Sequence, residues 1–125
     1  PTPTYAFDSS YTDSGAFGLY AGCALKSAKA DLLHRELEKL AESAVEEREL
    51  KEALGQLSGG VLLGMDDNRA RMARLGRAEV TEGRLRTIDQ MNAALQRVTA
   101  TDISSLAAQF LDAPQVKVTV SPTVS

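Results

Sequence analysis

The residues able to do chemistry are few, and their scarcity is informative. The chain of 125 residues holds one histidine, His34, and one cysteine, Cys23. Zinc catalysis through His-x-x-Glu-His, in either order, takes two imidazoles from one chain. A Cys/His zinc cluster would need three further ligands. A Ser-His-Asp triad would have to run through His34 itself. That residue lies between Leu33 and Arg35 in a charged amphipathic stretch and reads as a surface histidine. Cys23 reads as a small buried residue at the end of a strand rather than a nucleophile. Glu46, Glu47, Glu49 and Glu52 gather where a helix begins, and the positive end of that helix accounts for them without acid–base work. No catalytic residue, metal ligand or cofactor site is therefore expected within this chain.

Binding chemistry is better represented. Arg69, Arg71, Arg74, Arg77, Arg84 and Arg86 are opposed only by Glu79 and Glu82 between positions 69 and 86. On a helix, Arg71, Arg74 and Arg77 fall within an arc of roughly 120°. Such a face could hold a carboxylate, a phosphate backbone or a peptide C-terminus. The plainer reading is a solvated face, or ion pairs with the acidic stretch 46–52. The aromatics that single-stranded nucleic acid would want are absent from this run. Tyr5, Tyr11 and Tyr20 could hydrogen-bond a peptide laid along a sheet edge, although strands favour aromatics in any case. Gly15, Gly18 and Gly22 lie within a strand, so they do not make a dinucleotide fingerprint. Ser58-Gly59-Gly60 is followed by no Gly-Lys-Ser/Thr and makes no phosphate loop.

Composition sets the frame for these residues. At 43% hydrophobic and 25% charged the chain reads as one globular unit, 1–125, rather than a disordered one. Net charge is −3, which disfavours bulk binding of nucleic acid. No apolar run approaches the ~20 residues of a membrane span, and no leader is visible at the N-terminus. A single cysteine excludes an internal disulfide framework and suits a cytoplasmic setting.

The elements that must position the candidates follow from periodicity. Tyr5, Phe7, Ser9 and Tyr11 alternate with Ala6, Asp8 and Ser10, Thr12-Asp13-Ser14-Gly15 supplies turn chemistry, and Ala16–Cys23 alternates again. This predicts a β-hairpin, with Gly18 and Gly22 admitting another backbone layer. Apolar residues at three- and four-residue intervals predict a helix over about 26–45 and a second over about 46–65. Gly59-Gly60 interrupts the second at a cost of ~2 kcal/mol, which implies a break or a close packing contact. Asp66-Asp67-Asn68 and Gly83 bracket a helix near 67–82. Thr87–Gln90 and Thr99–Asp102 resemble capping boxes and open helices over about 88–97 and 101–111. Val116, Val118 and Val120 alternate with Lys117 and Thr119 and predict a third strand. The expected fold is α+β: a small antiparallel or mixed sheet, hairpin plus C-terminal strand, covered on one face by about five helices. Its open edge would make the isolated chain marginal and prone to associate.

Longer stretches carry a resemblance. Tyr5 to Cys23 looks like the hairpin of the insulinase/pitrilysin-type zinc peptidases, in their bacterial and mitochondrial-processing-peptidase-like branch. Gln56-Leu57-Ser58-Gly59-Gly60-Val61-Leu62-Leu63-Gly64 and Arg71-Met72-Ala73-Arg74-Leu75-Gly76-Arg77 resemble that branch at the same distance downstream. The ending is similar too: Val98 to Ile103, then a helix, a proline and a valine-rich stretch. The similarity runs from Thr4 to Pro122, and its order and spacing are more specific than any one motif.

The resemblance implies a parent with two repeated α+β domains enclosing a cavity, with zinc held on the first. This chain resembles the later part of the second, non-catalytic domain, so the zinc ligands and the general base have no matching positions here. The family's substrate-holding Tyr would fall at Thr2, where Pro1-Thr2-Pro3 departs from the pattern, and the matching Arg would lie upstream. The expectation is a fragment of a larger two-domain peptidase that helps enclose and bind a peptide substrate. Tyr5, Tyr11, Arg74 and Arg77 are the candidate substrate contacts. Expected partners are the peptide, an N-terminal catalytic domain or partner subunit, and a second copy at the open sheet edge, with neither nucleic acid nor membrane. Two rival readings are an inactive scaffold or partner subunit of a peptidase-like complex, and an anion-binding module built on Arg71, Arg74 and Arg77.

Overall fold

The computed structural model describes residues 3–24 and 31–120. Its elements are β1 (Thr4–Ser10), β2 (Gly15–Ala21), α1 (Leu32–Glu42), α2 (Glu47–Leu63), α3 (Asn68–Glu82), α4 (Ile88–Leu95) and α5 (Ala100–Asp112). The α+β class is borne out, with a two-stranded antiparallel sheet and five helices. The start of the first expected helix, residues 26–30, lies outside the described residues.

Local chemistry sets most of the boundaries. Tyr5 pairs with Tyr20 and Phe7 with Gly18 in the hairpin register, and the turn closes by Tyr11 N–H donating to the Ser14 carbonyl at 2.9 Å. Asp67 Oδ1 accepts from the Arg69 amide at 2.8 Å and opens α3. Gly83 ends that helix at φ 63°, a left-handed position that disfavours any Cβ. Both predicted capping boxes form, at Thr87/Gln90 and at Thr99/Asp102. Thr99 donates to Asp102 through its hydroxyl at 2.7 Å and its amide at 2.8 Å. These bonds, the hydroxyl's foremost, hold the Asp102 carboxyl below its ordinary value of 3.8.

Three expectations are corrected. Residues 114–120 pair with no strand among the described residues, and the sheet has two strands. The alternation at Val116, Val118 and Val120 is real, but alternation alone does not decide which neighbour a segment lies against. Here Gln115 Nε2 donates to the last carbonyls of α5, Phe110 and Leu111. Lys117 Nζ reaches Asp31 at 2.7 Å at the start of α1, so the segment is tied to helices instead. Gly59 and Gly60 neither break α2 nor meet a neighbour: the helix runs on to Leu63 and an added Cβ would find nothing within 4 Å. Gly18 makes room for the Phe7 ring and Gly22 for the Pro3 ring, so these glycines admit side chains of the facing strand rather than another backbone layer.

Packing is concentrated on one side. Helices α1 and α5 lie against each other, with α1 also touching β2. On α5, Ile103, Ser104, Ala107, Phe110 and Leu111 turn inward at helical spacing. Ala107, at 4% exposure, is the one buried residue among those described. Phe110 stacks on Phe17 at 4.5 Å between centroids and joins this pair to the hairpin. Helix α2 rests on α4 through one half-buried side, where Ser58 Oγ donates to Asn92 Oδ1 at 2.9 Å. Its other side exposes Leu57, Leu62 and Leu63, and α3 exposes Met72, Leu75 and Val80. The accessible surface totals 10316 Å². A compact monomer of 13.4 kDa presents about 6,500 Å², and among the described residues large apolar faces stand uncovered.

Candidate functional site

The hairpin has two unlike faces. Phe17, Leu19 and Ala21 turn toward the helices, and Phe17 makes the stack on Phe110. The opposite face carries Tyr5, Phe7 and Tyr20, all exposed. Tyr5 stacks on Tyr20 at 4.9 Å and lies tilted against Phe7 at 6.2 Å. Cross-strand aromatic pairs of this kind stabilise a hairpin by a few tenths of a kcal/mol to ~1 kcal/mol. They also form an apolar platform whose phenol groups remain open to hydrogen bonding. Tyr11, at the entry to the turn, is 66% exposed.

The arginines of α3 do not act as one face. Arg77 Nη2 approaches Asp8 Oδ2 at 3.6 Å and links α3 to β1. Both groups are well exposed, so the pair contributes little to stability, but it brings Arg77 to the hairpin. Arg74 turns the other way, within the half-buried row Ala70, Arg74, Ala78 and Thr81. Its Nη1 donates to the Arg86 carbonyl at 2.8 Å and touches Met91 Sδ at 3.5 Å, while its buried Nε has no partner. Arg71 is exposed. Among the described residues, the ion pairs of this run go to Asp8 and Glu82, not to the acidic start of α2.

The structure thus brings Tyr5 and Arg77 to the same hairpin, leaves Tyr11 at its tip, and places Arg74 on the α4 side. Asp8 was not singled out by sequence: it lies 69 positions from Arg77, and no local pattern links them. His34 is a surface residue, with Nε2 at 3.4 Å from Glu38 Oε1 one helical turn on. Cys23 is exposed, not buried, because β2 ends at Ala21 and leaves it beyond the ladder. Among the described residues no group of three or more His, Cys, Asp or Glu side chains could hold a metal ion. Nor is any described helix long and apolar enough to cross a membrane.

No family model matches the chain, whereas individual proteins do. An uncharacterized zinc protease of Streptomyces coelicolor is 36% identical over 110 residues, covering 86% of this chain and 24% of that protein. One from Mycobacterium tuberculosis is 36% identical over 104 residues, 81% of this chain and 24% of its own length. The mitochondrial-processing peptidase subunit beta of Lentinula edodes is 32% identical over 108 residues, 85% of this chain and 23% of its own. The chain therefore spans about a quarter of the length of the curated relatives it matches. With this agreement across more than four fifths of its residues, the chain belongs to the insulinase-like zinc metallopeptidase family, as a segment related to that part of its members.

Proposed function

We propose that this chain is a non-catalytic wall of a zinc metallopeptidase, from its C-terminal domain, that helps enclose and hold a peptide substrate. The observation that carries this reading is the open aromatic hairpin in a chain whose relatives are named as zinc proteases. Strand β1 has one edge bonded to β2 and the other free among the described residues. A free edge accepts an extended peptide by strand addition, with main-chain hydrogen bonds for affinity and side chains for selectivity. Tyr5 would then line the peptide along the strand and Tyr11 would meet it at the tip. Arg77, held beside β1 by Asp8, would offer a donor fork to a peptide carbonyl or carboxylate. Arg74 has a different part: its bond to the loop carbonyl makes it a brace for the region behind α3.

Hydrolysis needs a zinc-bound water and a carboxylate base. In this reading both belong to another part of the parent, and zinc is its cofactor rather than this chain's. The uncovered sides of α2 and α3 are where the rest of the parent would pack, which supplies a cover for the surplus apolar surface.

The test is kinetic and uses the intact peptidase. Tyr5→Ala and Arg77→Ala should each raise KM about fivefold with kcat nearly unchanged, as expected when uniform binding is lost. Removal of zinc by chelation should abolish activity. The purified 125-residue chain should cleave no peptide. Zinc-dependent cleavage by that chain, or Tyr5 and Arg77 variants with unaltered KM, would contradict the proposal.

A further inference from the structure

A cleft behind α3 is left unused by the hairpin reading. Arg84, Leu85 and Arg86, in the loop between α3 and α4, line an open cavity of about 390 Å³ together with Gln90, Ala94 and Arg97. That volume is in the range of small-ligand sites. Three guanidinium groups meet a single carboxylate there. Glu82 lies 3.5 Å from Arg86, and among the described residues Arg84 and Arg97 form no ion pair within 4.0 Å. Gln90 adds a further donor, because its Oε1 already accepts the Thr87 amide at 2.9 Å, leaving its NH₂ free. Apart from Arg86, which meets Glu82, the polar side-chain groups of the cleft are thus donors with no acceptor among the described residues.

The loop is held in place. Arg74 Nη1 fixes the Arg86 carbonyl at 2.8 Å, and the Thr87/Gln90 box closes the loop's far end. A held loop backbone loses less freedom on binding than a slack one. The same box satisfies the start of α4, so the arginines, not the helix end, make this site electropositive.

We infer that this cleft binds carboxylate groups and that its occupant is an acidic peptide segment. Three forks match two or three carboxylates bidentately, and Leu85 and Ala94 give a peptide stem some apolar contact. A nucleic acid would want aromatic platforms, which the lining lacks. It would also spread its charge over a chain whose net charge is −3. The inference stands whether or not the parent cleaves peptides, since it concerns a different surface from the hairpin.

The experiment is fluorescence anisotropy on the intact protein that carries this chain, with labelled hexaglutamate and hexaglutamine. Hexaglutamate should bind at least tenfold more tightly at 50 mM salt, and less tightly at 300 mM. The double variant Arg84→Gln/Arg97→Gln should weaken hexaglutamate tenfold or more. Both residues are exposed, so the fold should persist, which circular dichroism will verify. Arg48→Gln, an exposed arginine at the start of α2 paired with Glu52, should change nothing. Equal binding of the two peptides, no loss in the double variant, or an equal loss in Arg48→Gln would overturn the inference. So would hexaglutamate binding that survives 300 mM salt undiminished.

Discussion

Helices α1 and α5 pack on each other around Ala107, whereas α2 and α3 turn much of their apolar surface to solvent. The two pairs are written in similar sequence. Leu33, Leu37 and Leu40 in α1 follow the same four- and three-residue intervals as Leu50, Leu54 and Leu57 in α2. The difference is in what lies opposite. Ala107 is small enough for α1 to come close, and Phe110 reaches over to Phe17. Leu63, at 75% exposure, and Val80, at 74%, are left uncovered among the described residues. Amphipathic periodicity is enough to specify a helix, but burial takes a partner surface. Under the proposed function, the rest of the parent supplies that surface for α2 and α3.

The sharpest way to break the comparison is to place the same charge on both sides. Ala107→Glu should destabilise by ~3 kcal/mol or more, because a buried carboxylate would have no counter-ion. Val80→Glu should stay within ~0.5 kcal/mol in the isolated chain, since it is already in water. Chemical denaturation of the two variants compares them directly, and equal losses would erase the distinction. Next in size, Phe110→Ala should cost about 1–2 kcal/mol by removing the stack on Phe17, read as a lower denaturant midpoint.

Gly59→Ala sharpens the contrast with an opposite sign. With nothing within 4 Å of the new Cβ, the isolated chain should gain about 1 kcal/mol from helix propensity alone. A loss in the isolated chain would mean that α2 is already covered there. Thr99→Ala should cost about 1 kcal/mol through loss of the α5 cap, followed as a drop in melting temperature.

The smallest expected effect is in pH. Asp102, held down by the Thr99 hydroxyl and amide, and Asp31, held down by Lys117, both have carboxyls below 3.8. A depressed carboxylate contributes stability above its unfolded value and loses it as pH falls through the folded one. Stability should therefore fall slightly below about pH 3.8, and Asp102→Asn should flatten part of that slope. A slope unchanged in the variant would detach Asp102 from it.

What could be read from sequence was what is decided locally. Asp67, Gly83, Thr87–Gln90 and Thr99–Asp102 act within four residues, and each forms the predicted bond or angle. The third strand was not legible, because alternation at Val116–Val120 does not say which neighbour the segment lies against, and here Gln115 and Lys117 tie it to helices. Cys23 was misplaced for the same kind of reason: the ladder stops at Ala21, and only the partner strand decides that. At the candidate site, the arginine run was visible but not its division. Arg77 goes to Asp8, Arg74 goes to the Arg86 carbonyl, and Arg97 joins Arg84 and Arg86 from another element. These are contacts across sequence distance, set by topology rather than by neighbours.

Met72 offers the most direct test of the account. It is exposed on α3 within the face assigned to the rest of the parent. Its rate of peroxide oxidation can be followed by mass spectrometry in the intact native protein and in the same protein unfolded in denaturant. Met72 should be protected at least tenfold in the native protein, because the parent covers this face. Oxidation at the denatured rate would show that the face remains open and would contradict the assignment of this chain as a wall packed against a catalytic partner.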